Sequence, residues 1–164
     1  MINIKAFTFN PFQENTYIVS DETKECIIID PGCYEKSEKD LLKNYINQHD
    51  YTPVKLINTH CHIDHVLGNN FVSETWCLDL EIHELDLPLL NAVKDYAKEY
   101  GFNNYEESPQ PTCFLKENDK ISFGNSNLSV LFTPGHAPGH ISLYSEEKIL
   151  ISGDVIFQMS IGRT

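Results

Sequence analysis

The chain has 164 residues, enough for one domain with a substantial core. Hydrophobic residues make up 41% and charged residues 22%, the balance of an ordinary soluble globular protein. A formal net charge of −12, from 24 acidic and 12 basic residues, argues against a phosphate-backbone binder, which needs basic surface to displace counterions. No apolar run approaches the ~20 residues that cross a bilayer. Residues 1–7 alternate like a strand and lack a signal-peptide layout. The five cysteines (Cys26, Cys33, Cys61, Cys77, Cys113) are odd in number and form no C-x-x-C pair. They read as reduced thiols of a cytoplasmic protein without nucleic-acid or membrane partners.

In chain order, residues 2–9 read as a strand, and residues 15–19 and 25–29 as two more, joined by a turn at 20–23. The run Ile27-Ile28-Ile29 fits a strand buried on both faces, and Asp30-Pro31-Gly32 ends it with a turn. Residues 34–48 carry Leu41, Leu42, Tyr45 and Ile46 at helical spacing. A short strand at 54–58 then delivers the chain into Thr59-His60-Cys61-His62-Ile63-Asp64-His65.

That stretch sets three imidazoles and a carboxylate within six residues, a density of divalent-metal ligands that surface loops do not show. On an extended backbone His60 and His62 point to the same side, and Cys61 between them points away into the protein. Asp64 and His65 follow where the chain turns into a helix, so one corner can serve two adjacent metals. Asp64 is a candidate cap for a helix through Val66, Leu67, Asn70 and Phe71.

Residues 78–82 read as a strand and 83–100 contain a helix that stops near Gly101. Residues 103–112, with Pro109 and Pro111, read as a loop. Residues 120–123, 127–133, 141–144 and 149–152 are closely spaced strands. Strand clusters interrupted by helices imply two packed sheets with helices outside. Two further ligand candidates stand at strand ends: His136 in Thr133-Pro134-Gly135-His136, and Asp154 after Gly153. His136 would complete three nitrogens around a first metal, and a carboxylate such as Asp154 can bridge two. His140, His83 and His49 read as supporting or solvated residues, not ligands.

These elements resemble the metallo-β-lactamase-fold hydrolases, and most closely their glyoxalase II-like branch. The resemblance rests on Asn10-Pro11-Phe12 with Asn15-Thr16-Tyr17, Ile29-Asp30-Pro31-Gly32, the His60–His65 stretch with Gly68, Thr133 to Gly139, Gly153-Asp154 and Gly162-Arg163-Thr164. It implies an α/β fold, an αββα four-layer sandwich, with residues 1–164 as a single domain lacking its final strand and helix. It implies that His60, His62 and His136 bind the first metal, that Asp64 and His65 bind the second, and that Asp154 bridges. Asp30 then orients a ligand or a loop, or serves the turn alone.

The resemblance further implies a zinc hydrolase of a small acyl thioester, using a metal-bound water with Asp64 in the catalytic set. Alternatives are a lactonase, a nuclease disfavoured by the acidic surface, a mono-iron persulfide dioxygenase on His60, His62, His136 and Asp154, or a metal-binding module without catalysis. Iron and manganese compete with zinc. The family completes its second site with a histidine downstream of the bridging aspartate, and no histidine follows His140. The expectation is therefore a trimmed chain that holds one of the two Zn²⁺ firmly, turns over poorly and self-associates.

Overall fold

The structure, a computed structural model, describes residues 1–164. A six-stranded sheet runs β1 (Asn3–Phe9), β2 (Glu14–Ser20), β3 (Glu25–Ile29), β4 (Thr52–Ile57), β5 (Leu80–Ile82) and β6 (Cys113–Phe114), in that spatial order. The first three strands pair antiparallel, and β3 to β6 are parallel, so β3, β4 and β5 end on the same edge. The parallel strands are linked by α1 (Lys36–Gln48), then by α2 (Ile63–Val66) with α3 (Asn69–Trp76), then by α4 (Leu87–Tyr96). A second, antiparallel sheet has four strands in the order β10 (Ile149–Ile151), β9 (Ile141–Ser145), β8 (Ser126–Phe132) and β7 (Lys120–Phe123). A small hairpin of β11 (Ile156–Phe157) and β12 (Ser160–Ile161) follows.

Strand alternation sorts the core into two layers. Cys26 and Ile28 face the helices, packing with Leu42 and Ile46 of α1, Val72 of α3 and Leu90 and Val93 of α4. Ile27 and Ile29 face the second sheet, packing with Leu128, Val130, Ile141 and Leu143. All four β3 residues are fully buried, as the apolar run predicts. Each such side chain contributes about 1.5–3 kcal/mol relative to exposure. Helix, sheet and sheet give three of the four expected layers. The outer face of the second sheet carries no helix within these residues, and its cross-strand pair Tyr144–Leu150 stays partly exposed.

One local expectation needs correction, and two others gain detail. Asp64 does not cap a helix: His62 takes the cap position, Asp64 sits in the first turn of α2, and the helix breaks at Leu67–Gly68 before α3 begins. Residues 83–100 do contain a helix, and it is flanked on both sides by tighter turns. A 3₁₀ turn at Glu84–Asp86, α4, and a second 3₁₀ turn at Ala97–Tyr100 share them, with Gly101 closing the last in the left-handed region. The loop at 103–112 stands as expected, and the short strand β6 follows it directly, with Leu115 N donating to Ile82 O across 2.8 Å.

None of the five cysteines is paired; Cys26, Cys33 and Cys61 are buried, and Cys77 and Cys113 are exposed. Burial pushes the Cys26 and Cys33 thiols up to about 12 and raises that of Cys61 well above its ordinary value. In the native chain an excess of thiol reagent at neutral pH is expected to modify Cys77 and Cys113 quickly. The other three should react only after denaturation, as read by intact mass. Prompt modification of all five would contradict this packing.

Candidate metal centre

Both sheets end at the centre. The chain leaves β3 through Asp30, whose backbone is left-handed (φ 49°), and leaves β4 into Thr59–His65. From the second sheet β8 leads to His136 and β10 to Asp154. The sheets are tied here by Ile141 N donating to Thr59 O (2.8 Å) and by His83 stacking on Phe132 with ring centroids 4.5 Å apart.

The six residues expected as ligands come together. The donor atoms of His60, His62 and His136 lie within 4.8 Å of one another, and so do those of Asp64, His65 and Asp154. Asp154 reaches both triads: Oδ2 is 3.5 Å from His136 Nε2, and Oδ1 is 3.4 Å from His65 Nε2. His65 Nε2 is also 3.5 Å from Asp64 Oδ2. His62 Nδ1 faces His136 Nε2 at 3.0 Å. His136 is oriented from behind by a contact of its Nδ1 with Arg163 O at 2.8 Å. Cys61 is turned into the helix-side core, away from the imidazoles that flank it.

Buried side-chain nitrogens and oxygens without a hydrogen-bond partner occur at only three residues of the chain: His60 Nε2, both nitrogens of His65, and Glu14 Oε1. All belong to this centre or touch it, since Glu14 Oε1 is 3.9 Å from His65 Nδ1. An orphaned buried nitrogen is costly, and the unpartnered nitrogens here all belong to His60 and His65, members of the two triads.

Burial lowers His60 well below the ordinary imidazole range, and the surrounding imidazoles add to it. His62 is lowered for the same reasons, burial first and His136 next. Both shifts favour the neutral rings, the form that can donate a lone pair to a metal. Asp154 is held below the usual carboxylate range: burial opposes its charge, but the adjacent His65 and the neighbouring imidazoles of His136 and His140 outweigh burial. Burial also disfavours charge on His65, yet Asp30, Asp154 and Asp64 outweigh it and hold that imidazole protonated well above its ordinary value. The carboxylates around His65 thus favour positive charge in this half of the centre. The His60 and His62 nitrogens beside the ionised Asp154 form a donor set that fits divalent metals, and a metal at His65 would take the place of its proton.

Supporting residues set the geometry. Asp30 does more than turn the chain: its oxygens accept from Thr59 N and Thr59 Oγ1, both at 2.6 Å, and Oδ2 lies 3.1 Å from His65 Nδ1. With Nδ1 turned toward Asp30, His65 presents Nε2 to Asp64 and Asp154. His140 is a support: its Nε2 accepts from Asp154 N (3.2 Å) and its Nδ1 meets Thr133 Oγ1 (3.0 Å). Burial pushes it down to about 4, so it stays neutral and able to accept. A side chain at Gly153 would place Cβ 2.6 Å from His140 Nε2 and from Thr59 Oγ1, on a backbone already at φ 49°. His83 caps the first 3₁₀ turn by accepting from Leu85 N, and His49 rests against Tyr45, with Nδ1 2.9 Å from Tyr45 O.

Several contributors have no role assigned from the sequence. Asn10 Nδ2 donates to Gly32 O and Asp64 O, each at 3.0 Å, fixing the β1–β2 turn to the metal-facing loop. Asn58 donates to His65 O and pairs reciprocally with Asn69. Asp86, fully buried, accepts from Cys61 N at 2.7 Å and from Gly139 N. A cavity of about 170 Å³ opens beside His136 and Asp154, bordered by Ile156, Ile161 and Thr164.

Comparison with known proteins gives this arrangement a context. The sequence pattern of the Metallo-beta-lactamase superfamily matches residues 9–164. The Hydroxyacylglutathione hydrolase GloC of Haemophilus influenzae is 32% identical over 169 residues, spanning 99% of this chain and 76% of that protein. The crystal structure of the BLEG-1 B3 metallo-beta-lactamase superposes with a TM-score of 0.85 at 31% identity, over 99% of this chain and 77% of the other. That of TTHA1623 in a di-iron-bound form gives 0.83 at 34% identity, over 97% and 76%.

Proposed function

The chain belongs to the metallo-beta-lactamase superfamily, and we propose that it is a metal-dependent hydrolase of a small acyl thioester. The observation that carries the reading is the pair of donor triads, His60–His62–His136 and Asp64–His65–Asp154, with the two Asp154 oxygens divided between them. The first triad would hold one metal and the second another, with Asp154 common to both. A divalent pair held there supplies Lewis acidity and makes bound water a nucleophile at neutral pH.

The chain's own residues do the rest. Neutral His60 and His62 keep lone pairs toward the centre, while ionised Asp154 balances positive charge between the two positions. Asp30 and His140 hold His65 and Asp154 in place. The cavity beside His136 gives a substrate a route to the same atoms. A thioester suits such a centre because a thiolate leaves readily and needs no protein nucleophile; Cys61, the one thiol in the ligand loop, is buried and turned away. The kinship with a hydroxyacylglutathione hydrolase supports this substrate class.

Zinc is the proposed metal, since three imidazoles with carboxylates are an ordinary zinc set. Iron is the competitor, because a 34% identical relative is described as di-iron-bound. The test loads the purified chain with zinc or iron in turn. It then offers a hydroxyacyl thioester of glutathione, a lactone, a phosphodiester, a β-lactam and a persulfide. Thioester loss that stops with chelator and returns with zinc is the expected result. Oxygen uptake on the persulfide by the iron form, or hydrolysis confined to lactone or β-lactam, would overturn it.

A further inference from the structure

Asp86 lies outside both donor triads, at the end of the 3₁₀ turn that precedes α4. Its carboxylate is fully buried, and no cation pairs with it. Its two oxygens instead face two different loops. Oδ2 accepts from Cys61 N at 2.7 Å, the peptide between His60 and His62, and Oδ1 accepts from Gly139 N, three residues past His136. Burial raises its carboxyl, while the Gly139 and Cys61 amides pull the other way. Gly139 is shaped to this contact: a Cβ there would lie 2.6 Å from Asp86 N and 2.8 Å from Asp86 Oδ1.

The two loops come from different sheets, and each carries part of the His60–His62–His136 triad. Their separation is the span of that triad. Apart from Asp154, which belongs to the centre, Asp86 is the carboxylate that accepts hydrogen bonds from one loop and from the other. We propose that Asp86 is the positioning residue of the first metal position, a buried strut that sets the distance between the His60–His62 loop and the His136 loop. This rests on the reading of the triad as a metal site. Asp30 anchors Thr59, whose Oγ1 lies 3.1 Å from His60 Nδ1, and stands against His65, but it accepts no hydrogen bond from the His136 loop.

An amide at position 86 would keep one acceptor and turn an NH₂ toward the other backbone N–H. Glutamate would keep both acceptors and the charge but reach one methylene further. The test is a cobalt(II) titration of this chain, following visible absorption, with His62→Ala marking loss of the first position. Melting temperature is measured with and without cobalt.

Both Asp86→Asn and Asp86→Glu are expected to weaken the first position by about 10–100-fold. Both should lower the intensity of its absorption and shrink the cobalt-induced rise in melting temperature. A merely structural role would lower the melting temperatures with and without metal by the same amount, leaving that rise and the affinity unchanged; this outcome overturns the proposal. Unaltered affinity in Asp86→Glu alone would show that charge acts rather than reach, and also overturns it. So would failure of both variants to fold even with cobalt, which would make Asp86 a support of the whole fold. Absence of cobalt binding in the unsubstituted chain would instead defeat the metal reading beneath it.

Discussion

Replacing His60 by alanine is expected to lower hydrolysis by the metal-loaded chain about 10³-fold or more, the loss of ~4 kcal/mol of transition-state stabilisation supplied by the first metal. His60 is 1% exposed, and its Nε2 has no protein partner. Its ring is surrounded by those of His65 at 4.1 Å, His62 at 4.7 Å, and His136 and His140 at 4.9 Å between centroids. No neighbour can take over that nitrogen without leaving its own place. Stability gives an independent reading. Metal bound at 1,000 times its dissociation constant stabilises the fold by about 4 kcal/mol, a rise of roughly 8–16 °C for a domain of this size. Without metal, His60→Ala leaves a small cavity but removes an orphaned nitrogen, two effects of opposite sign. The zinc-dependent part of the melting temperature is therefore the quantity to compare. Loss of most of that rise together with the activity is expected. A variant with the full rise and full turnover would take His60 out of the centre.

The ligand cluster was legible because its signal is local and chemical. Three imidazoles and a carboxylate crowd His60–His65, and His136 and Asp154 stand beside Gly and Pro at strand ends. The inner strand was legible because Ile27, Ile28 and Ile29 leave no polar face, and both its sides are covered. The breaks inside the helices were harder to read. Leu67 and Gly68 sit within an apolar pattern, and Gly68 N turns aside to donate to Pro31 O at 2.7 Å, a contact with a residue far back in the chain. Asp86 was hidden for the same kind of reason. Its partners are 25 and 53 residues away, and near a helix start an aspartate looks like a cap. Glu14 shows the limit most plainly: placed in a strand reading Glu14-Asn15-Thr16-Tyr17, it looks solvated, yet it is buried next to His65 and burial raises its carboxyl well above the ordinary range. The two-residue strands β6, β11 and β12 are too short for periodicity to register at all.

Asp64→Ala separates a two-metal centre from a one-metal centre. The Asp64 carboxylate belongs to the triad with His65 and Asp154 and shares no atom with His60, His62 or His136. Its backbone is fixed apart from its side chain, because Asp64 O accepts from Asn10 Nδ2 at 3.0 Å. Truncation should therefore leave α2 in place and take one donor from the second position only. Metal analysis after dialysis is expected to retain the first equivalent and lose whatever the second position held. Turnover should fall about 10²-fold or more, ~2.7 kcal/mol. The fall should lie in kcat rather than KM if the second position acts mainly in the transition state. The pattern across variants carries the argument. His60→Ala should lose the first metal and nearly all activity, whereas Asp64→Ala should keep the first metal and a residue of activity. Full turnover in Asp64→Ala with the first metal bound would mean that His60, His62, His136 and Asp154 suffice. The chemistry would then belong to a single ion.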